Sequence, residues 1–167
     1  LEGQEVNYFT GTQIHNAINA WAESQVDASI AESIKNNKEY NEKYGGRTVY
    51  SYGGYRGEPK KVPYPTTPEE FNREDVATQL AEGFYEAYDF PKEGVELPGL
   101  GIATLVDSYG GEGMGEELWI IVKIGDQHYK FDHFYSSYDG TEPWHGNCTI
   151  FPVVGKEVTV TKWIALP

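Results

Sequence analysis

Apolar residues recur mostly at three- and four-residue steps through residues 12–37: Ile14, Ile18, Trp21, Ala22, Ile30 and Ile34, with Val26 filling the gap. That period predicts a long helix with one buried stripe. Asn16, Asn19, Glu23, Asp27 and Ser33 fall largely on the other side. Thr10 or Thr12 is the expected N-cap, and Asn36-Asn37, flanked by Lys35 and Lys38, the expected C-terminus. A second helix is expected over 73–88, where Val76, Leu80, Phe84 and Tyr88 step every four residues. Thr67-Pro68-Glu69-Glu70 ahead of it has the order of a capped turn, with proline first and a glutamate closing the box.

Between the helices, residues 44–65 are rich in Tyr, Gly and Pro. Residues 47–52 read as a short strand and the remainder as an exposed, partly polyproline connection. Residues 91–98 read as a loop. From residue 100 onward the helical spacing gives way to strand patterns over 100–108, 117–124, 128–135, 147–153 and 157–164. Gly125-Asp126 is a tight-hairpin signal between the second and third of these, although Asp-Gly is the favoured order. The expected fold is therefore α+β: two helices packed on an antiparallel β-meander of about five strands. Residues 1–167 read as a single domain, helical and Tyr/Gly/Pro-rich over 1–99 and β-rich over 100–167.

Composition changes this picture little. The chain has 167 residues, enough for one core, and no apolar run approaches the 18 residues of a membrane span. A single cysteine, Cys148, excludes an intramolecular disulfide framework. Charge changes it more. Thirteen basic against 26 acidic residues give −13, yet residues 46–66 alone are net +3, through Arg47, Arg56, Lys60 and Lys61 against Glu58. An acidic body of this kind repels polyanions and anionic membranes, and it steers basic protein surfaces in. No direct nucleic-acid or membrane partner is expected; a protein partner with a basic surface is, and self-association is allowed. The interleaved bases and tyrosines of 44–65 have the composition of a single-strand grip, but four bases in so acidic a chain fit a structural arm packed on the body better.

Several residues have the chemistry of sites. Asp126, His128, Asp132, His133, Asp139 and His145 form the densest polar cluster. On one strand, however, His128 and His133 point to opposite faces and cannot share a metal without a bulge. No metal or cofactor is expected. Cys148 lies three residues after His145, a spacing that does not itself build a thiol–imidazole pair, and its apolar neighbours suit a buried structural cysteine. Gly110–Gly115 lacks the Gly-Lys-Ser/Thr ending of a phosphate loop and carries acids that would repel phosphate. The expected partner-binding residues are the acidic set Glu69, Glu70, Glu74, Asp75, Glu82 and Glu86, together with Tyr135, Tyr138, Asp139 and Trp144, whose aromatic area and directed acceptors suit an interface.

The run Glu117-Leu118-Trp119-Ile120-Ile121-Val122-Lys123-Ile124-Gly125-Asp126, then Tyr129, Tyr135-Ser136-Ser137-Tyr138-Asp139-Gly140 and Trp144, resembles a pattern in small, mostly uncharacterised bacteriophage proteins. The resemblance covers about the last third of the chain. It implies a phage or phage-exposed bacterial source, hence the host cytoplasm or the virion, and transfers no functional residue. The function expected from these observations is noncatalytic: an acidic, phage-type accessory protein that binds another protein, for instance to inhibit a basic nucleic-acid-binding host factor. The alternatives are a structural virion or assembly protein, whose 44–65 arm reaches a neighbouring subunit, and a metal- or thiol-dependent enzyme.

Overall fold

The computed structural model describes residues 6–50, 58–110, 117–134 and 148–160. Helix α1 spans Gly11–Tyr44. Thr10 caps it: its hydroxyl accepts from Gln13 N, and the Gln13 side chain accepts from Thr10 N at 2.8 Å. The helix runs past the expected stop at Asn36-Asn37. Asn37 Nδ2 instead donates to Pro65 O, and Asn41 both donates to Tyr64 O and accepts from Tyr64 N. Those side chains are spent docking the following arm rather than ending the helix. Tyr40 packs on Tyr44 and, at a right angle, on Tyr64. The helix ends at Gly45, whose φ of 72° is a left-handed conformation open to glycine at little cost.

The arm contains a two-stranded antiparallel ribbon, β1 (Arg47–Tyr50) with β2 (Pro59–Val62). The second strand falls where the sequence pattern predicts a polyproline connection. Pro59 and Pro63 disguise it, because proline is tolerated at the start and edge of an isolated ribbon. A 3-10 turn follows at Pro68–Glu70, then α2 at Arg73–Glu82, capped by Asn72, and a second 3-10 turn at Gly83–Tyr85. The second helix is thus shorter than 73–88. At Gly83 the chain tightens, and the four-residue stripe breaks: Phe84 and Tyr85 are buried, Tyr88 is 91% exposed, and Phe90 takes the core position against Phe84.

The main sheet is an antiparallel meander in the order β3 (Val95–Leu97), β4 (Gly101–Gly110), β5 (Glu117–Ile124), β6 (Gln127–Phe134) and β7 (Cys148–Val153). The architecture is α+β. The strand membership differs from expectation at both ends. β3 lies in the predicted 91–98 loop, where Val95 and Leu97 reach the core in only three residues, too short for a periodic signal. Residues 157–160 form no strand, and Val158 and Val160 are exposed despite an alternating pattern; residues 161–164 lie outside the described residues. Between β5 and β6, Gly125 takes φ 59° while Asp126 keeps a negative φ, so glycine stands first, as a type II′ turn requires.

One face of the sheet carries Ala103, Ile120, Val122, Ile124, Tyr129 and Phe131, all fully buried. Ile14, Ala17, Ile18 and Ala22 of α1 and Phe84, Tyr85 and Phe90 beyond α2 close over them. Four-residue steps advance about 40° beyond a full turn each time, so the α1 stripe winds around its helix. Its first half therefore serves the sheet, while Val26 turns toward Ala77 and Ala81 of α2. Among the described residues, no helix is long and apolar enough to cross a membrane.

Candidate functional site

The winding stripe leaves an open cleft of about 530 Å³ between α1 and α2. Asn19, Glu23 and Val26 line it from α1; Glu74, Thr78, Ala81 and Glu82 line it from α2. Three carboxylates thus face one groove. Among the described residues its single base is Arg73, which bonds Asp27 at 2.6 Å and so bridges the two helices. Among the described residues the ion pairs are this one and Lys130–Asp132, so Glu23, Glu74 and Glu82 take part in none there. Both members of the Arg73–Asp27 pair are exposed, which limits its worth to about 1 kcal/mol or less. A cation of higher local concentration can therefore compete for it.

Tyr85 closes the floor of the cleft and connects it to polar groups in the core. Its hydroxyl lies 2.5 Å from His15 Nδ1, and the two rings stack at 5.5 Å. Burial, reinforced by the nearby Cys148, pushes the phenol well above its ordinary range. The phenol therefore keeps its proton, and its hydroxyl and His15 Nδ1 share one hydrogen bond. On the sheet side, His133 meets Tyr85 edge-on at 6.1 Å and stands directly across from Cys148. Burial, then the charge of Asp132, pushes the Cys148 thiol up to about 12, partly offset by a backbone hydrogen bond. A nucleophilic cysteine needs the opposite shift. His15, Tyr85, His133 and Cys148 accordingly form a polar seam bordering the core, in which the phenol and the thiol stay protonated.

The sequence-derived acidic set divides among three places. Glu74 and Glu82 join Glu23 in the main cleft. Glu70 and Asp75 line a second groove with Ser33, Asn37 and Tyr64. Glu82 also borders a third with Glu86, Asp89 and Trp21. Glu70 is already committed: its Oε2 accepts from Thr66 N, Thr67 N and the Thr67 hydroxyl at 2.9 to 3.1 Å, and these bonds hold its carboxyl below the usual range. Glu69 is exposed in the same turn and lines none of these three grooves. Tyr135, Tyr138, Asp139 and Trp144 lie outside the described residues.

Two relationships escape the linear reading. Glu23 belongs with Glu74 and Glu82, but only helix pairing brings them together; its place among the outward polar positions of α1 is the sole signal. The histidine beside Cys148 is His133, fifteen residues away by strand register, whereas His145 lies outside the described residues. His128 and His133 do occupy opposite faces of β6. Among the described residues, no group of three or more His, Cys, Asp or Glu is placed to hold a metal ion. No protein-family model matches the chain, and no curated protein and no solved structure is significantly similar to it.

Proposed function

We propose that the chain is a noncatalytic protein-binding module whose α1–α2 cleft receives a lysine- or arginine-rich segment of another protein. The observation that carries this reading is the convergence of Glu23, Glu74 and Glu82 on one open groove whose only base, among the described residues, is already held by Asp27. Carboxylates there take the place of phosphates, so the partner class is a basic, nucleic-acid-binding protein, and occupation of its basic segment inhibits it. The charge of −13 supports the reading in two ways: it accelerates encounter with a basic surface and disfavours nucleic acid itself as the ligand. The raised thiol of Cys148 favours a binding role over thiol catalysis.

Affinity capture from a bacterial lysate tests this, with the wild type and the Glu23→Gln/Glu74→Gln/Glu82→Gln variant as parallel baits. The expected wild-type eluate is a basic protein released at moderate salt, missing from the variant eluate and freed of its DNA or RNA while bound. Recovery of the same proteins by both baits would overturn the assignment to the cleft.

A further inference from the structure

The main sheet has a second face, and it lies opposite the helices. On it Tyr109 stacks on Trp119 at 5.7 Å, and Lys130 Nζ sits 5.3 Å from the Trp119 ring centre while bonding Asp132 at 3.2 Å. Register places Ile121 and Phe151 on either side of Lys130. Ile102 is 60% exposed, Tyr109 41% and Phe151 37%, so the apolar row is open to solvent. We infer that this face is a self-association surface, on which a second copy of the chain docks through the same residues.

Charge selects that occupant. The outward charges of the sheet are Lys123 and Lys130 against Glu96, Asp107, Glu117 and Asp132, a net of −2, which leaves −11 of the −13 elsewhere. Two copies repel one another across most of their surfaces and only weakly across this face. A two-fold arrangement is self-complementary by construction, and this face carries both signs of charge for it, Lys123 and Lys130 beside Asp107 and Asp132. Size agrees with a dimer. Strands β4 to β7 span roughly 19 by 26 Å at ordinary strand spacings, about 500 Å² before side-chain relief, approaching the ~800 Å² per partner of a standard interface. The edges of the sheet compete poorly. β3 has three residues and β7 carries Pro152, both of which blunt strand addition.

Sedimentation equilibrium over a wide concentration range tests the inference, with Ile121→Lys and Phe151→Lys as variants. Both positions face outward, and circular dichroism and melting check that the fold is kept. The wild type is expected to form dimers that tighten as salt rises, because salt screens the mutual repulsion of two acidic bodies. Each variant is expected to weaken dimerisation by at least about tenfold. Hydroxyl-radical footprinting of the unaltered protein provides a second reading, with Trp119 and Tyr109 protected as dimers form. A wild type that stays monomeric, dimers indifferent to both variants, or association without protection of these rings would each overturn the inference. The salt dependence is opposite in sign to that of the α1–α2 cleft, whose binding weakens with salt, so either reading can fail without the other.

Discussion

Replacing Phe84 with alanine is expected to cost the fold about 3–5 kcal/mol, a large share of the roughly 5–15 kcal/mol by which such domains are stable. Phe84 is fully buried. Trp21 of α1 meets its ring at 4.9 Å and Phe90 meets it at 5.1 Å, both edge-on. Truncation removes these aromatic contacts and leaves a cavity where α1, the end of α2 and the following loop converge, a site with little freedom to collapse. Tyr88→Ala, one step further along the same sequence stripe, is expected to change stability by less than about 0.5 kcal/mol, because its ring is 91% exposed. Urea unfolding of the two variants measures both effects. Similar losses for the two would mean that the helix continues through Tyr88 rather than tightening at Gly83.

Raising the pH is expected to destabilise the protein through the polar seam in the core. The Cys148 thiol moves from its ordinary 9.0 up to about 12 on folding, so its proton stays bound in the native state over a range where the unfolded chain releases it. Below about pH 9 both states hold the proton and the full stabilisation is present. Between about 9 and 12 the unfolded chain is favoured by up to about 1.4 kcal/mol for each pH unit, until the native thiol also ionises. Tyr85, raised in the same direction by burial, adds to the loss at higher pH. The same shift lowers the thiolate share of the folded protein at pH 8 by about a thousandfold. Iodoacetamide labelling of the folded chain is accordingly expected to be slow and to keep rising beyond pH 9, whereas the urea-unfolded chain levels off there. A plateau near pH 9 in the folded protein would contradict the buried setting of Cys148 beside Asp132.

The parts of the fold that were legible in the sequence are those with long periods. The α1 stripe, the alternation of Leu118, Ile120, Val122 and Ile124, and the Gly125-Asp126 turn each announce their element, and together they imply helices on an antiparallel sheet. Short or hidden elements were not legible. β3 has two inward residues, and β2 begins at Pro59 and is followed by Pro63, whose local preference argues for a connection. Residues 157–160 err in the other direction: Val158-Thr159-Val160 has strand propensity, but propensity without a pairing partner does not make a strand. The C-terminal stop of α1 was misread because Asn37 and Asn41 are docking groups for the arm, a role set by residues 23 to 28 positions away.

The cleft was half legible for a similar reason. Clustered acids around α2 mark a charged region, and the Thr67–Glu70 capping box is legible there, yet a linear count cannot assign Asp75 to the next groove or Glu23 to the same groove as Glu82. Those assignments follow from the angle at which two helices meet. They also make the binding claim sharper than net charge alone, since only three of the 26 acidic residues are asked to carry it.

Titrating a short lysine- and arginine-rich peptide into the wild type and into the Glu23→Gln/Glu74→Gln/Glu82→Gln variant, across a series of salt concentrations, tests that claim most directly. An acidic cleft that receives a basic segment predicts saturable wild-type binding that weakens steadily with salt, and a loss of affinity on the order of tenfold or more in the variant at low salt. Equal affinities for the two proteins, or wild-type binding indifferent to salt, would contradict it.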